Sequence, residues 1–515
     1  MAFSYRKKLF LLITISTLLR LIAAAFVELG NDEVYYWTYA QHLQWNYFDH
    51  PPMVAVWIRM FTFNLSLQNF ELFVRLGSII SCIISTLLLY NIVLKLHSEK
   101  AAWFAVCLYN TCIYTSIIAG TFILPDSPQM VFWCGSLYFL IKILDQPKKW
   151  ISWLLFGVFA GLCIMSKVHG IFIWFGFGLF VIFKKSELLK RPQLYVAALI
   201  TALMISPILL WNISNQFITY RFHSGRVVSA SFTLNFFGLA REIYGQIFYT
   251  NPINIFIIIS ALNFWRHRKM SHSSPLQLFN FIAVPMISVF VIISILGDTL
   301  PHWSGPAYVT LLPLAAIYLA EKYPSITPWP LRWSFILMIG LFSIGLVGIN
   351  YYPGTFGKQD KQNLGSTDVT LDMYGWKQAG ELFKDIYLKD QKNGVMPKNA
   401  PVVCYNWFPA AHEEYYFCHP LNIKLIGLGP PNNLHHYIWL NKLNEPYVNM
   451  QTAYSIVPST EYHDARAVYE GYYKQIDSVT TISTYRTNKI CRYFTVFRLS
   501  GWEGTVLTPQ NLIYK

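Results

Sequence analysis

Charged residues are scarce in this chain, and their scarcity argues against an ordinary water-soluble protein. Asp, Glu, Lys and Arg together make up 13% of the 515 residues, whereas soluble domains carry roughly 25%. Apolar residues reach 54% and aromatic residues 17%, and aromatic rings are favoured where a membrane meets water. The composition therefore predicts an integral membrane protein.

Metal-binding and nucleic-acid-binding motifs are also lacking. No Cys-x-x-Cys pair and no His/Cys spacing typical of a zinc site occurs in the sequence, so neither a metal nor another cofactor is expected. The net charge of +14 arises mainly in residues 1–352, which hold 24 Lys/Arg against 12 Asp/Glu, while residues 353–515 hold 16 against 14. A basic excess of this origin reflects membrane topology and predicts no nucleic-acid partner.

The apolar residues occur in blocks close to the roughly 20 residues that a membrane-spanning helix needs. The first block follows a basic cluster as in a signal peptide, but no small-residue cleavage pattern comes after it, so an uncleaved span is expected. The sequence thus predicts an all-α polytopic domain over residues 1–352 and a soluble α/β domain over residues 353–515. Eleven spans are predicted, at residues 9–29, 72–95, 101–119, 127–144, 151–166, 168–184, 193–212, 239–263, 277–297, 304–320 and 333–352.

Lys and Arg are unevenly divided between the predicted loops, and this sets the expected orientation. With a cytoplasmic N-terminus, 14 of them fall in inner loops between the spans and only five in outer loops. An odd number of spans then places residues 353–515 outside the cytoplasmic (inner) membrane, in the periplasm or cell exterior of a bacterium. That location permits a disulfide, for which Cys404 and Cys418 are one candidate pair.

The longest predicted outer loop within the membrane part, residues 30–71, carries acids and many aromatic rings. Its amphipathic pattern favours helices in the membrane interface, and the prolines of the DHPP sequence at 49–52 divide it in two. Asp32 and Glu33 stand where the first span meets this loop. Asn31 or Asp32 could simply cap the following helix, but a carboxylate at the membrane surface is costly and is also a functional candidate.

A second acidic signal is Asp126, in the sequence LPDSP at the outer end of a predicted span. It could be an ordinary helix start, and the functional interpretation requires it to face Asp32 across one cavity. Basic side chains lie on the same predicted side, and each alone is typical of a residue that contacts lipid headgroups. Together they would suit a lipid phosphate arriving from the bilayer; they are Lys167, Arg221, His223, Arg226 and His302.

Several short segments resemble one family in order and in predicted side of the membrane. The loop NDEVYYWTYAQHLQWNYFDHPP is similar to the first outer loop of polyprenyl-phosphate-sugar-dependent glycosyltransferases of the GT-C superfamily. Within that superfamily it resembles the bacterial protein mannosyltransferase-like (family 39-like) group, which is related to the lipid A aminoarabinose transferases. The further matching segments are LPDSPQMVFW, GLCIMSKVHGIF, SPILLWNISNQFITYRFHSGR, PHWSGPAYVTLLPLAA and DMYGW.

The resemblance implies a GT-C membrane fold and transfer of a sugar from a polyprenyl-phosphate donor to a glycan, lipid or protein acceptor on the outer side. It assigns the catalytic acid/base to Asp32 and matches a second acid to Asp126. The expected partners are the lipid-linked donor, the acceptor and membrane lipids. The candidates for substrate binding are Glu33, Tyr36, Asp49, His50, Lys167, Arg221, His223, Arg226 and His302.

The chemistry of such a transfer agrees with these residue types. A carboxylate such as Asp32 can take the proton of an acceptor hydroxyl, while the departing phosphate is already a stable anion and needs cations more than a proton donor. A single essential carboxylate suits inversion in one displacement better than a retaining pair. A transporter or flippase of lipid-linked sugars, favoured by charges buried in mid-span, and an O-antigen-type ligase or polymerase remain the alternatives.

Overall fold

The protein is described here by a computed structural model, which covers residues 4–227, 234–266, 268, 273–324, 327–444 and 448–512. Contacts divide the chain into two compact units, Met1–Ala24 with Leu43–Phe342, and Ala25–His42 with Ser343–Lys515. The segment Ala25–His42 therefore belongs by its contacts to the second unit, although it follows the first helix in the chain.

In the described residues the first part of the chain is helical, and strands begin at Val402, among further helices. The helices up to the end of the apolar region are α1 (Tyr5–Phe26), α2 (Asn31–Gln41), α3 (Met53–Phe61), α4 (Glu71–Leu96), α5 (Glu99–Thr111), α6 (Asp126–Asp145), α7 (Trp150–Ser166), α8 (Ile171–Lys184), α9 (Pro192–Ser214), α10 (Ile218–Val227), α11 (Phe236–Thr250), α12 (Pro252–Arg266), α13 (Ser274–Leu296), α14 (Gly305–Lys322) and α15 (Trp329–Tyr351). The long helices among them follow the apolar blocks, because a buried or lipid-facing helix satisfies its backbone groups internally, whereas α2 and α10 are not apolar.

Six of the described helices are long and apolar enough to cross a membrane, or seven with one bent pair. The eleven predicted spans are therefore not confirmed in number. The segment predicted as a span at 101–119 shows why, because α5 ends at Thr111 and a separate π-helical turn, Tyr114–Ile118, follows it. The helices α7 and α8 are apolar but shorter.

The predicted single span at 239–263 is interrupted. Helices α11 and α12 are bent by 95° at Asn251, whose φ of 76° is left-handed. Pro252 then starts α12, where the missing N–H of proline costs no helical hydrogen bond. The Asn251 side chain holds the break in place by donating to the carbonyl oxygen of Thr111 at 2.9 Å and to the hydroxyl of Ser334 at 3.0 Å.

Small residues bring the central helices of the first unit together. A Cβ on Gly157 of α7 would lie 2.6 Å from the carbonyl oxygen of Ala197 in α9, so only glycine allows this approach. Thr201 of α9 then donates to the carbonyl oxygen of Gly157 at 2.8 Å. Such contacts between small and hydroxyl-bearing residues are typical of helix packing in membranes, and they fix α7, which carries Lys167 at its end.

The second unit contains a five-stranded sheet. Its remaining helices are α16 (Trp376–Lys392), α17 (Trp407–Glu413), α18 (His419–Leu421), α19 (Pro431–Leu434), α20 (Tyr437–Asn444) and α21 (Ala465–Tyr469), and its strands are β1 (Val402–Cys404), β2 (Leu425–Gly427), β3 (Thr452–Pro458), β4 (Tyr473–Arg486) and β5 (Lys489–Trp502). The strand order is β2-β1-β3-β5-β4. The pairs of β1 with β2 and β3 are parallel, and β3, β5 and β4 pair antiparallel.

Two expectations about this unit can be compared with its packing. The thiols of Cys404 and Cys418 are both free and buried, so the candidate disulfide is not formed. Aromatic rings of α2 are buried against the unit: the ring centroid of Trp37 lies 5.0 Å from that of Tyr415, and Tyr35 lies 4.9 Å from Trp407. Protein packing therefore accounts for the aromatic pattern in this part of residues 30–71.

Candidate functional site

Asp126 forms a buried ion pair in the first unit. It is the first residue of α6, and its carboxylate oxygens lie 3.0 and 2.9 Å from Nζ of Lys167. The hydroxyl of Tyr114 donates to Oδ1 of Asp126 at 2.9 Å. The side chains of Asp126 and Lys167 are only 3% and 4% exposed, so each charge depends on the other for compensation. The carboxylate thus accepts hydrogen bonds from both Lys167 and Tyr114. Its position at the N-terminus of α6 also favours a negative charge.

Three histidines share the electrostatic environment of this pair. His302, in the short turn Pro301–Ser304 before α14, interacts electrostatically with Asp126 and Lys167. His169, in the turn that follows Lys167, interacts with both of them and with His50 and His302. In the described ranges no group of three His, Cys, Asp or Glu residues is arranged to hold a metal ion.

A cavity of about 290 Å³ adjoins this cluster. Its polar lining comes from the loop before α3, from the turn after α7 and from α9 and α10, and its apolar lining comes mainly from α8, α9 and α13. A space with one apolar side and a charged end suits an amphiphilic ligand. The polar lining residues are Asn46, Asp49, His50, Lys167, His169, Asn212, Thr219 and Tyr220, and the apolar ones include Phe172, Ile208, Val289, Phe290, Ile293 and Trp303.

The structure brings some of the predicted residues to this cavity and leaves others away from it. Asp49, His50 and Lys167 line the cavity. Arg221, on α10 directly after two lining residues, is exposed and has interactions of its own. The side chains of His223 and Arg226 fall outside the described part of the structure.

The acids that open residues 30–71 lie in the second unit. Oε2 of Glu33 accepts a hydrogen bond from the backbone N–H of the N-cap residue Gly30 at 2.9 Å, which is the half of a capping box that a glycine N-cap allows. The N-cap residue is thus Gly30, one position before the Asn31 or Asp32 expected from the sequence. Asp32 is exposed, and the ring of Tyr36 is buried beside that of Tyr39 at 5.6 Å.

Several residues at these places were not predicted individually. Tyr114, the hydroxyl donor to Asp126, lies in a π-helical turn that no sequence pattern indicated. His169 stood within a quoted segment, SKVHG, but only its lysine was selected. Its ring packs against Phe290 and Trp303, with centroids 5.0 and 5.3 Å apart. The sequence signal that could have found it is a histidine at the start of the predicted span 168–184.

Comparison with known proteins supports a relationship to glycosyltransferases. Residues 49–211 match the family described as dolichyl-phosphate-mannose-protein mannosyltransferase. Over 294 residues the chain is 21% identical to the lipid A galacturonosyltransferase RgtD of Rhizobium johnstonii, an alignment that covers 57% of this chain and 61% of that relative.

Solved structures establish the fold. The crystal structure of ArnT from Cupriavidus metallidurans in the apo state matches with a TM-score of 0.63 at 12% identity, covering 97% of this chain and 100% of that one. The structure of ArnT bound to undecaprenyl phosphate matches with a TM-score of 0.60 at 13% identity, covering 95% and 98%. These likenesses show that the chain shares the fold of ArnT. Together with the family match over residues 49–211 and the similarity to RgtD, they confirm the resemblance predicted from the sequence.

Proposed function

We propose that this chain, which shares the fold of GT-C glycosyltransferases, transfers a sugar from a polyprenyl-phosphate donor to an acceptor on the outer side of the inner membrane. The observation that carries the proposal is the buried Asp126–Lys167 pair at the charged end of a cavity with apolar walls. A lipid-linked sugar has the same division into a long apolar part and a charged phosphate. The donor class is supported by the shared fold with an ArnT that binds undecaprenyl phosphate.

The phosphate is handled by side chains in this proposal. Lys167 supplies a fixed positive charge at the cavity, and the neighbouring histidines supply hydrogen-bond donors. Asp126, which accepts a hydrogen bond from the hydroxyl of Tyr114 at 2.9 Å, holds Nζ of Lys167 at 3.0 and 2.9 Å, so the cation is oriented before the donor arrives. Preorganised charge of this kind stabilises a developing phosphate anion without reorganisation during the reaction. The donor is a monophosphate and no metal is required.

Asp32 is the proposed general base. It takes the proton of the acceptor hydroxyl as that oxygen attacks the anomeric carbon, and the bond from this carbon to the phosphate oxygen breaks in the same displacement. The configuration therefore inverts. The exposure of Asp32 is consistent with access for an acceptor.

A flippase would use charges within the spans, but those charges have local partners. The guanidinium of Arg20 donates to Asn110 at 3.2 Å and to Ser116 at 3.0 Å. The buried carboxylate of Glu242 accepts from Thr299 at 2.6 Å. Such contacts are those of helix-packing residues, and they favour the glycosyltransferase over the flippase.

The test uses the purified full chain in proteoliposomes with polyprenyl-monophosphate sugars carrying mannose, galacturonic acid or aminoarabinose, and lipid A as the first acceptor. We expect one of these donors to be consumed with release of polyprenyl phosphate and formation of a glycosylated acceptor. Movement of the intact donor across the bilayer without release of polyprenyl phosphate would instead establish the flippase. Asp126→Asn provides the comparison, because it should release polyprenyl phosphate far more slowly than the unmodified chain.

A further inference from the structure

Three polar side chains that line the cavity of the first unit each carry a buried atom without a hydrogen-bond partner. These atoms are Nδ1 of His169, Oδ1 of Asn212 and Oγ1 of Thr219, and none of them has a partner among the described residues. An unpaired polar atom in a protein interior costs free energy. Three such atoms around one space indicate a ligand that completes their hydrogen bonds.

The side chain of Asn212 has a defined orientation. Its Nδ2 donates to the carbonyl oxygen of Ile208, one turn earlier in α9, at 3.0 Å. Because a carbonyl oxygen only accepts, the nitrogen of the amide must be the atom that faces it. Oδ1 is then the unpaired atom of the amide, and it can accept a hydrogen bond but not donate one. Asn212 is fully buried, so bulk water does not reach this oxygen.

The backbone at the end of α9 holds Asn212 in place. Its carbonyl oxygen accepts a hydrogen bond from the N–H of Phe217 at 2.7 Å. Between the two residues the chain turns, and Gln216 and Phe217 have left-handed φ angles of 54° and 57°. Side chains other than glycine seldom adopt this conformation, and it is found preferentially at functional sites. The turn leads into α10, so that Thr219 lines the same cavity as Asn212.

The size and charge of the cavity indicate which part of a ligand these atoms contact. Its volume of about 290 Å³ lies at the lower end of the roughly 300–1,000 Å³ that ligand pockets have. It therefore has room for a head group and only the beginning of a polyprenyl chain. Lys167, which also lines the cavity, supplies the positive charge for a phosphate. The unpaired atoms are thus available to the group attached to that phosphate.

Hydrogen-bond donors are unevenly distributed in a lipid-linked sugar. The phosphate of a polyprenyl-monophosphate sugar is an ionised diester, so its oxygens accept hydrogen bonds and donate none. The polyprenyl chain does neither. Every O–H or N–H donor of the molecule therefore lies on the sugar, and an oxygen that can only accept, such as Oδ1 of Asn212, can pair with no other part of it.

We propose that Asn212 is a specificity-determining residue, whose side-chain oxygen accepts a hydrogen bond from an O–H or N–H group of the donor sugar. The inference rests on the proposed function, because it takes the polyprenyl-phosphate sugar as the ligand of this cavity. A buried acceptor of this kind rejects a ligand that cannot donate to it, since its oxygen then stays unpaired. Asn212 thus distinguishes the sugar-bearing lipid from the polyprenyl phosphate that is released as product.

The experiment compares the binding of two kinds of lipid to the full chain in nanodiscs. One is polyprenyl phosphate, and the other is a polyprenyl-monophosphate sugar carrying mannose, galacturonic acid or aminoarabinose, whichever the unmodified chain binds most tightly. The measurements are made at pH 8, where a phosphate monoester with a second pKa of about 6 is fully ionised and has no proton to donate. The readout is the ratio of the two dissociation constants.

Replacing Asn212 should change this ratio. We expect Asn212→Leu to bind the lipid-linked sugar about tenfold more weakly, through loss of one buried hydrogen bond, and to bind polyprenyl phosphate as the unmodified chain does. Asn212→Ala removes the same amide without adding bulk and should give the same ratio if leucine is not accommodated. Asn350→Leu is the matched control and should change neither constant, because Nδ2 of Asn350 makes the same bond to the carbonyl oxygen of Leu346 at 3.0 Å away from the cavity.

The outcomes separate the inference from the proposed function. Equal weakening of both lipids in the Asn212 variants would mean that the residue only shapes the end of α9. Unchanged binding of both would mean that a water molecule satisfies its oxygen. Either result overturns the inference and leaves the proposed function standing. If the unmodified chain binds neither polyprenyl phosphate nor any of the three lipid-linked sugars, the proposed function fails and the inference fails with it.

Discussion

The buried pair of Asp126 and Lys167 offers the sharpest test of the site in the first unit. Replacing one partner leaves the other as an uncompensated charge in a place where side-chain exposure is 3–4%. Breaking a buried ion pair in this way costs about 3–5 kcal/mol. The neutral double variant Asp126→Asn, Lys167→Gln removes both charges and keeps an acceptor for the hydroxyl of Tyr114. It should therefore be more stable than either single variant.

The assay is a double-mutant cycle on reversible unfolding in mixed micelles, combined with polyprenyl phosphate release. The exposed pair of Lys95 and Asp145, with a distance of 2.8 Å and side chains 36% and 50% exposed, is the matched control and should show little coupling because water screens it. The double variant should regain stability but not turnover, since the cavity would have lost its lysine cation.

Two results would refute this reasoning. Additive losses of stability in the two single variants would mean that the charges do not depend on each other. Full turnover in the double variant would mean that the pair is a structural element of the α6–α7 contact and has no part in handling the donor phosphate.

The remaining predictions concern topology, metal use and the helix cap. Reporter fusions after residues 146 and 270 should be cytoplasmic and a fusion after residue 380 outside. A cytoplasmic result at 380 would contradict the odd number of spans and, with it, an outward-facing site. Transfer should survive EDTA, whereas the Arg221→Ala, Arg226→Ala double variant should use the donor poorly. Two results would contradict donor binding by side chains alone. One is a loss of activity in EDTA that Mg²⁺ or Mn²⁺ restores, and the other is full activity of the double variant. Glu33→Ala should lower stability by about 1 kcal/mol, because it removes the hydrogen bond to the backbone N–H of Gly30. The same unfolding assay measures this loss, and unchanged stability would contradict the role of Glu33 at the start of α2.

The sequence predicted the helices best where a long apolar run is uninterrupted. Helices α4, α9 and α13 begin and end within a few residues of the predicted spans, because hydropathy alone determines such segments. The break at Asn251 was missed although the Asn-Pro dipeptide there is a turn signal. The residues on both sides of Asn251 are as apolar as those of a continuous span, so hydropathy alone does not reveal the break.

The candidate site was predictable in its residue types and not in its contacts. Asp126 and Lys167 were both selected from short motifs, but their pairing joins positions 41 residues apart and depends on the packing of α6 on α7. An amphipathic aromatic pattern such as that of α2 cannot distinguish a lipid surface from a protein surface. For this reason the sequence could not predict that α2 packs within the second unit, nor that its N-cap is Gly30.

The central claim is tested most directly by mass spectrometry of surface glycans, glycolipids and polyprenyl lipids in a strain that lacks this protein. The account predicts loss of one sugar from a surface molecule and accumulation of the corresponding polyprenyl-phosphate sugar. The unmodified gene should reverse both changes, and Asp32→Asn, expressed at the same level, should reverse neither, because loss of a general base costs on the order of 10²–10⁴ in rate. An unchanged glycan profile in the deletion strain, or full restoration by Asp32→Asn, would contradict it.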